Sequence, residues 1–184
     1  MTDTQQGAPE EPKPDPSRHR PMSALLAGLK TLPPLPADSG NLRMIVRRPA
    51  VNLREQLTKT RLTVDEGLPG DAWGRNPKRL PDAQLAVMQW DVAELIANGQ
   101  SLTLFGDNLF VDFDISVANL PIGSRLRVGT AVVEVTPMPH DGCSKFKARF
   151  GMDAFRFVWE ASTRDQNLRG TYWKVVEPGD IHEG

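Results

Sequence analysis

Period-two alternation of apolar and polar residues dominates the middle of the chain. Leu109, Val111, Phe113 and Ile115 alternate with Phe110, Asp112, Asp114 and Ser116, which predicts a strand with one buried and one polar face. Leu126 and Val128 alternate with Arg125 and Arg127 in the same way, and residues 131–136 form a β-branched run after a tight turn at Gly129-Thr130. Pro137 and Pro139 close that run, because neither can donate to a ladder. Residues 41–47, 59–64, 84–89 and 172–176 read as further strands. Helical spacing is confined to short pieces. Met22, Leu25, Leu26 and Leu29 share one face of a helix over about 21–31, with Pro21 suited to its first turn. Asp91 caps a second helix over 92–97, which Asn98-Gly99 ends. Residues 152–159 suit helix or strand, and the spacing of Ala154, Phe155 and Val158 favours helix.

The rest reads as connections: 55–57 as a connecting piece, 66–71 as a turn cluster, 72–81 as a loop with Trp73, 167–170 as a turn and 178–180 as a terminal turn. Many short strands with Gly/Pro turns and few short helices predict a mostly β fold, a small closed or nearly closed β-barrel.

Composition divides the chain. Of its 184 residues 16 are proline, and half of those precede residue 40. Residues 1–20 are rich in Pro, Glu, Asp and Gln and bury too little to offset their ordering entropy. Residues 1–39 are therefore expected to be a disordered Pro-rich arm carrying the short amphipathic helix, and 40–184 one domain. A net charge of −1 argues against nucleic acid and against membrane surfaces as partners. The four tryptophans are scattered and read as core or pocket lining, not as a base-stacking platform. The polar first twenty residues are unlike a secretory signal, and one cysteine makes no internal disulfide. Together these predict a cytoplasmic protein.

Phosphate loops, paired-histidine metal motifs, GxSxG elbows and CxxC pairs are missing from the sequence. What remains is residues 140–149, read as a loop holding the only cysteine, Cys143, with His140, Lys145, Lys147 and Arg149 around it. Cationic neighbours favour a thiolate, the form that ligates metal or accepts sulfur. A small buried apolar cysteine is the competing account. His140 is a candidate for thiolate support, proton transfer or ligand contact, or is bonded to its own loop. Lys145 and Arg149, alternating outward if the segment is extended, suit an anion or form a solvated basic edge. Asn108 closes a turn through its amide or contacts a ligand. Asp112 and Asp114 share a strand face, as an acid/base pair or as a solvated surface.

The ordered set Gly106-Asp-Asn-Leu, Asp112-Phe-Asp-Ile-Ser, Asn119-Leu-Pro-Ile-Gly, Gly129-Thr-Ala-Val-Val-Glu-Val-Thr, Pro139-His-Asp-Gly-Cys-Ser-Lys-Phe and Arg149-Phe-Gly resembles a MOSC domain, named after the carboxy-terminal part of molybdenum-cofactor sulfurases. Gly67-Leu-Pro-Gly-Asp71 is similar to an upstream turn of that family and Leu168-Arg-Gly-Thr-Tyr to its last strand. The resemblance spans about residues 41–182. It implies a pyruvate-kinase-barrel-like fold and a molybdenum cofactor with Cys143 as metal ligand or sulfur handler. Asp71 and Arg169 enter as cofactor contacts on motif position alone, and a buried structural pair would explain both. The chain has neither the desulfurase domain nor the extra amino-terminal β-domain of larger members, so pyridoxal phosphate is not expected. Three readings follow: a cofactor-dependent reductase or sulfurtransferase acting on a small-molecule substrate, a metal-free carrier of a Cys143 persulfide supplied by a cysteine desulfurase, and a catalytically silent binding module that recruits a partner through its arm. A separate redox protein would supply electrons in the first.

Overall fold

The computed structural model describes residues 8–184. The expectation for residues 1–7 lies outside the described residues. The strands among the described residues are β1 (Leu42–Arg47), β2 (Glu55–Leu57), β3 (Lys59–Leu62), β4 (Leu85–Gln89), β5 (Leu109–Val111), β6 (Arg125–Val128), β7 (Ala131–Val135), β8 (Thr171–Glu177) and β9 (Gly179–His182). The α-helices are α1 (Met22–Leu29), α2 (Ala72–Arg75), α3 (Trp90–Ala97) and α4 (Ser144–Phe157).

Seven strands make one strongly curled sheet in the order β2-β1-β5-β4-β8-β7-β6, antiparallel except where β4 runs parallel to β5. β3 and β9 form a separate two-stranded ribbon. It leaves β2 after a single residue, Thr58, and its other strand reaches the β6–β7 turn, where the Thr130 N–H donates to the Asp180 carbonyl (2.9 Å). The sheet is thus a half-barrel that the ribbon brings close to closure, in keeping with the predicted mostly β, barrel-like architecture.

Alternation sets which side chains face inward. β7 buries Ala131, Val133 and Val135, and β8 buries Thr171, Trp173 and Val175. These join Leu42, Ile45, Leu85, Val87 and Leu109 in a core inside the curl. The central strand β4 is buried on both faces from Leu85 to Met88, so it shows an unbroken apolar run instead of alternation. A second core lies between the outer face of the sheet and the helices, built on Phe105, Phe110, Phe146, Phe150 and Phe157. Each fully buried aromatic contributes on the order of 2–3 kcal/mol of transfer free energy. α1 buries Leu25 completely against this core, so the predicted apolar face of that helix is spent within the chain.

Several local expectations change. Residues 55–57 are a strand, not a connection; the charge of Glu55 masks its inward position, where Arg47 binds its carboxylate through Nε (2.9 Å) and Nη2 (2.7 Å). Residues 72–75 form a short helix and 179–182 a strand. α3 starts at Trp90 with no side-chain cap, placing Asp91 in its first turn. β5 stops at Val111, so Asp112 and Asp114 share no strand face. Asp112 instead accepts from the Asn41 side chain (3.1 Å) and pairs with Arg43 (3.4 Å), while Asp114 accepts the Ser116 N–H (2.8 Å) in a turn. Residues 144–157 are helical, with a kink at Gly151 (φ 89°, ψ 170°). Residues 8–20 lie along the body through polar anchors that hydrophobic pattern does not register. Glu10 and Arg54 exchange backbone hydrogen bonds (2.8 and 2.7 Å), Asn98 donates to the Arg18 carbonyl (2.9 Å), and His19 donates to the Arg149 carbonyl (3.1 Å).

Candidate functional site

A cleft of about 490 Å³ opens where the start of α4, the β1–β2 loop, α2 and β8 meet. Cys143 is exposed at this cleft. It is the N-cap residue of α4, with extended backbone (φ −100°, ψ 175°), and its carbonyl accepts the Lys147 N–H (3.0 Å). The thiol makes no capping hydrogen bond. Lys145 and Arg149 do line the cleft together, though by helical spacing: residues four apart share a helix face. The alternation expected of an extended segment is replaced by that helix, and Lys147 falls outside the lining.

The cleft holds an unusual pair of guanidiniums. Arg54 is only 7% exposed, yet it meets carbonyls alone, donating from Nε to Thr103 (3.2 Å) and from Nη1 to Leu53 (2.8 Å). Arg149 donates to the Leu104 carbonyl (2.6 Å). Neither pairs with a carboxylate among the described residues. Burial, then the like charges of Arg149 and Arg48, bring Arg54 down to about 10. Gly106 (φ 80°) separates them: a β-carbon there would sit 3.4 Å from Arg54 Nη2 and 3.9 Å from Arg149 Nη1. Glycine therefore both permits the backbone angle and keeps the notch open. A buried cation without a counter-ion is costly, and an anion seated in the notch would remove that cost.

Behind the notch lies a denser polar layer. Asp107 is fully buried and receives two hydrogen bonds from Arg169 Nη1 (3.0 and 2.8 Å), with Arg169 itself lying over the Phe146 ring (5.1 Å). Burial pushes the Asp107 carboxyl up, against the pull of Arg169. The His140 side chain is 5% exposed, with Nε2 3.5 Å from Asp107 Oδ1 and its ring 4.3 Å from that of Tyr172. Burial, reinforced by Arg169 and Arg48, holds His140 well below its ordinary value, so the imidazole is neutral near pH 7 and its contact with Asp107 is no ion pair. His140 Nδ1 and Arg169 Nε are buried without hydrogen-bond partners among the described residues.

Asp71 and Asn108 do not line the cleft. Asp71 caps α2 by accepting the Trp73 N–H (3.0 Å) and binds Arg48 through the Arg48 N–H (2.8 Å) and Nε (2.9 Å). Burial works against ionisation of Asp71, but hydrogen bonds and charge from Arg48 outweigh it, and its pKa is lowered. Asn108 closes no turn. It is buried between strands, accepting the Ala86 N–H (3.1 Å) and donating to the Val46 carbonyl (3.3 Å). Asp71 and Arg169 each sit in a buried pair, though with Arg48 and Asp107 and not with each other. Arg54, Arg48 and Asp107 escaped the sequence reading. Asp107 stood inside the Gly106-Asp-Asn motif, whereas nothing in the pattern around Arg54 marks a buried charge.

This is the setting in which similarity to known proteins gains meaning. Residues 90–184, which carry Cys143, α4 and the Asp107–Arg169 pair, match the MOSC domain. The chain belongs to the MOSC family. Among solved structures, the MOSC fold here resembles the YuaD protein from Bacillus subtilis (TM-score 0.57, 16% identity, covering 79% of this chain and 92% of that one). It also resembles YiiM from Escherichia coli (TM-score 0.50, 20% identity), covering 77% of this chain and 65%, just under two thirds, of YiiM. These likenesses bear on fold. Comparison with curated proteins finds no match. Among the described residues, no helix is long and apolar enough to cross a membrane, and no three His, Cys, Asp or Glu side chains are grouped to hold a metal ion.

Proposed function

We propose that this MOSC protein binds the molybdenum cofactor in the Cys143 cleft and serves reduction of, or sulfur transfer to, a small molecule. The observation that carries this reading is one exposed thiol in the same cleft as Arg54 and Arg149, a buried and a half-buried guanidinium that meet no carboxylate among the described residues. The donor set fits the group. A metal arriving with its own chelating sulfurs needs a single soft protein ligand, which suits Cys143, since no three-residue metal cluster is present among the described residues. The phosphate of the pterin matches the cationic notch of Arg54 and Arg149, with Lys145 on the same helix face as Arg149. When bound, the cofactor would supply two-electron redox or sulfur chemistry. The chain's own residues would hold the metal at the Cys143 sulfur, fix the anionic end against two guanidiniums and keep His140 neutral beside the reacting space. Asp71 and Asn108 act at one remove, by fixing Arg48.

Protein produced with molybdate in a cofactor-competent host should carry stoichiometric molybdenum, and Cys143→Ser should lose it while staying folded. Metal-free wild-type protein from such a host would refute the reading. Exposure of Cys143 favours one second reading, persulfide carriage. Its thiolate would attack the outer sulfur of a desulfurase persulfide, and the desulfurase cysteine would leave as thiolate. Cys143 should then gain the mass of one sulfur atom after incubation with desulfurase and cysteine.

A further inference from the structure

The Cys143 cleft holds more positive charge than its walls balance. Its lining cations are Arg48, Arg54, Arg75, Lys145, Arg149 and Arg169, and its lining acid is Asp141. Arg48 and Arg169 are answered from behind the wall by Asp71 and Asp107. Arg75 donates to the Arg48 carbonyl (2.8 Å) and to that of Gly70. No carboxylate among the described residues pairs with Arg54, Arg75, Lys145 or Arg149. The fork of Arg54 is only partly used: Nε and Nη1 meet carbonyls, while Nη2 makes no hydrogen bond among the described residues. That free edge is turned to the cleft at Gly106, itself a lining residue, where a β-carbon would stand 3.4 Å from Nη2. The sulfur belongs to the same field. Burial lowers the Arg149 pKa and the charge of Cys143 opposes that drop, so thiolate and guanidinium support each other. At about 490 Å³ the cleft is the size of a small-molecule pocket.

We propose that Cys143 is a modification site for anionic low-molecular-weight thiols: it takes up a glutathione-type disulfide as a mixed disulfide, with a carboxylate of the captured half seated between Arg54 and Arg149. Cys143, as thiolate, attacks one sulfur of the disulfide. The new S–S bond forms as the old one breaks, and the other half leaves as a thiolate that takes up the proton Cys143 gave up. Cys143 is oxidised, the disulfide is reduced, and a free thiol reverses the step. A carboxylate suits the seat because guanidinium N–H groups bind it strongly, and because it offsets the cost of a buried, unanswered cation. The adduct would fill both the sulfur and the anion seat, so an oxidised chain would not load an anionic cofactor. The modification shares the cleft with that cofactor but needs no bound molybdenum.

Two chromogenic disulfides test it on the full chain produced without molybdate: dithiobis(nitrobenzoate), which carries a carboxylate on each half, and neutral dithiodipyridine. Relative to N-acetylcysteine amide, Cys143 should favour the dicarboxylate over the neutral reagent about tenfold at low salt, and the preference should shrink as salt rises. Phosphate should slow the dicarboxylate more than chloride does at matched ionic strength, and leave the neutral reagent untouched. Arg54→Gln, and independently Lys145→Gln on the exposed helix face, should cut the preference, read as a ratio of rates so that any change in thiolate content cancels. Glutathione disulfide should add the mass of one glutathionyl group to Cys143, removable by dithiothreitol. A ratio equal to that of the free thiol, an unchanged ratio in folded Arg54→Gln, phosphate slowing both reagents alike, or no glutathionyl adduct would each overturn the proposal. The expected ratio in a protein that never acquires molybdenum in a competent host would uphold the site and count against the cofactor alone.

Discussion

His140 is where a single side chain changes what the cleft can do. Its sequence position beside Cys143 suggests a cationic partner for the thiol, yet burial against Arg169 and Arg48 keeps it neutral. The unfolded chain titrates this group near 6.5, and the folded chain well below that. Above about pH 6.5 both states are neutral and stability is intact. As pH falls from there toward the depressed folded value, the unfolded state takes up a proton that the folded state refuses, and stability is lost. Denaturant titrations of wild type should therefore show falling stability below about pH 6.5, and His140→Gln should remove that part of the slope. Equal slopes in the two proteins would mean that the ring is reached by water. None of this was legible in the sequence, because burial of His140 is set by Arg169 and Tyr172, some thirty residues further on. Lys145, Arg149 and Cys143 could be read from one local motif, and the structure does bring them to one cleft. Arg54 could not, since a buried charge in a short loop-strand segment has no periodic signature.

At the scale of elements, legibility followed period. Alternating runs such as β6, β7 and β8 were visible, while β2 and β9, three and four residues long, were hidden by charged or glycine-rich composition. The segment from Ser144 to Phe157 reads poorly because Gly151 breaks its helical period; a β-carbon there would meet the His19 ring at 2.9 Å. Its amino-terminal end carries a different tension. Cys143 holds an N-cap position in the extended conformation that serine or aspartate favours, and offers no capping hydrogen bond. Cys143→Ser should accordingly stabilise the fold by about 0.5–1 kcal/mol in denaturant unfolding while abolishing the chemistry of the thiol. A gain in stability would also show that lost molybdenum in this variant reflects a lost ligand and not lost structure. A destabilised variant would instead place the sulfur in packing that its exposure does not suggest.

Across the whole molecule, the notch draws on distant parts of the chain. Arg54 comes from the β1–β2 connection and Arg149 from α4, and residues 10 and 19 bond the backbones of both. An anion between the guanidiniums would thus join the barrel, the helical layer and the amino-terminal segment at one point. Binding to the native state alone stabilises it by RT ln(1 + [L]/Kd), about 1.4 kcal/mol when free ligand is tenfold above Kd. Inorganic phosphate should raise the melting temperature above that in chloride at matched ionic strength, and should slow amide exchange at Glu10 and Arg54, whose N–H groups bond each other's carbonyls. Arg54→Gln should erase the phosphate effect. Its own stability without phosphate should stay within about 1 kcal/mol of wild type, because two carbonyl hydrogen bonds are lost along with an uncompensated charge. Equal melting in phosphate and chloride would leave the buried arginine without its counter-ion, and the cofactor's anionic end without its seat.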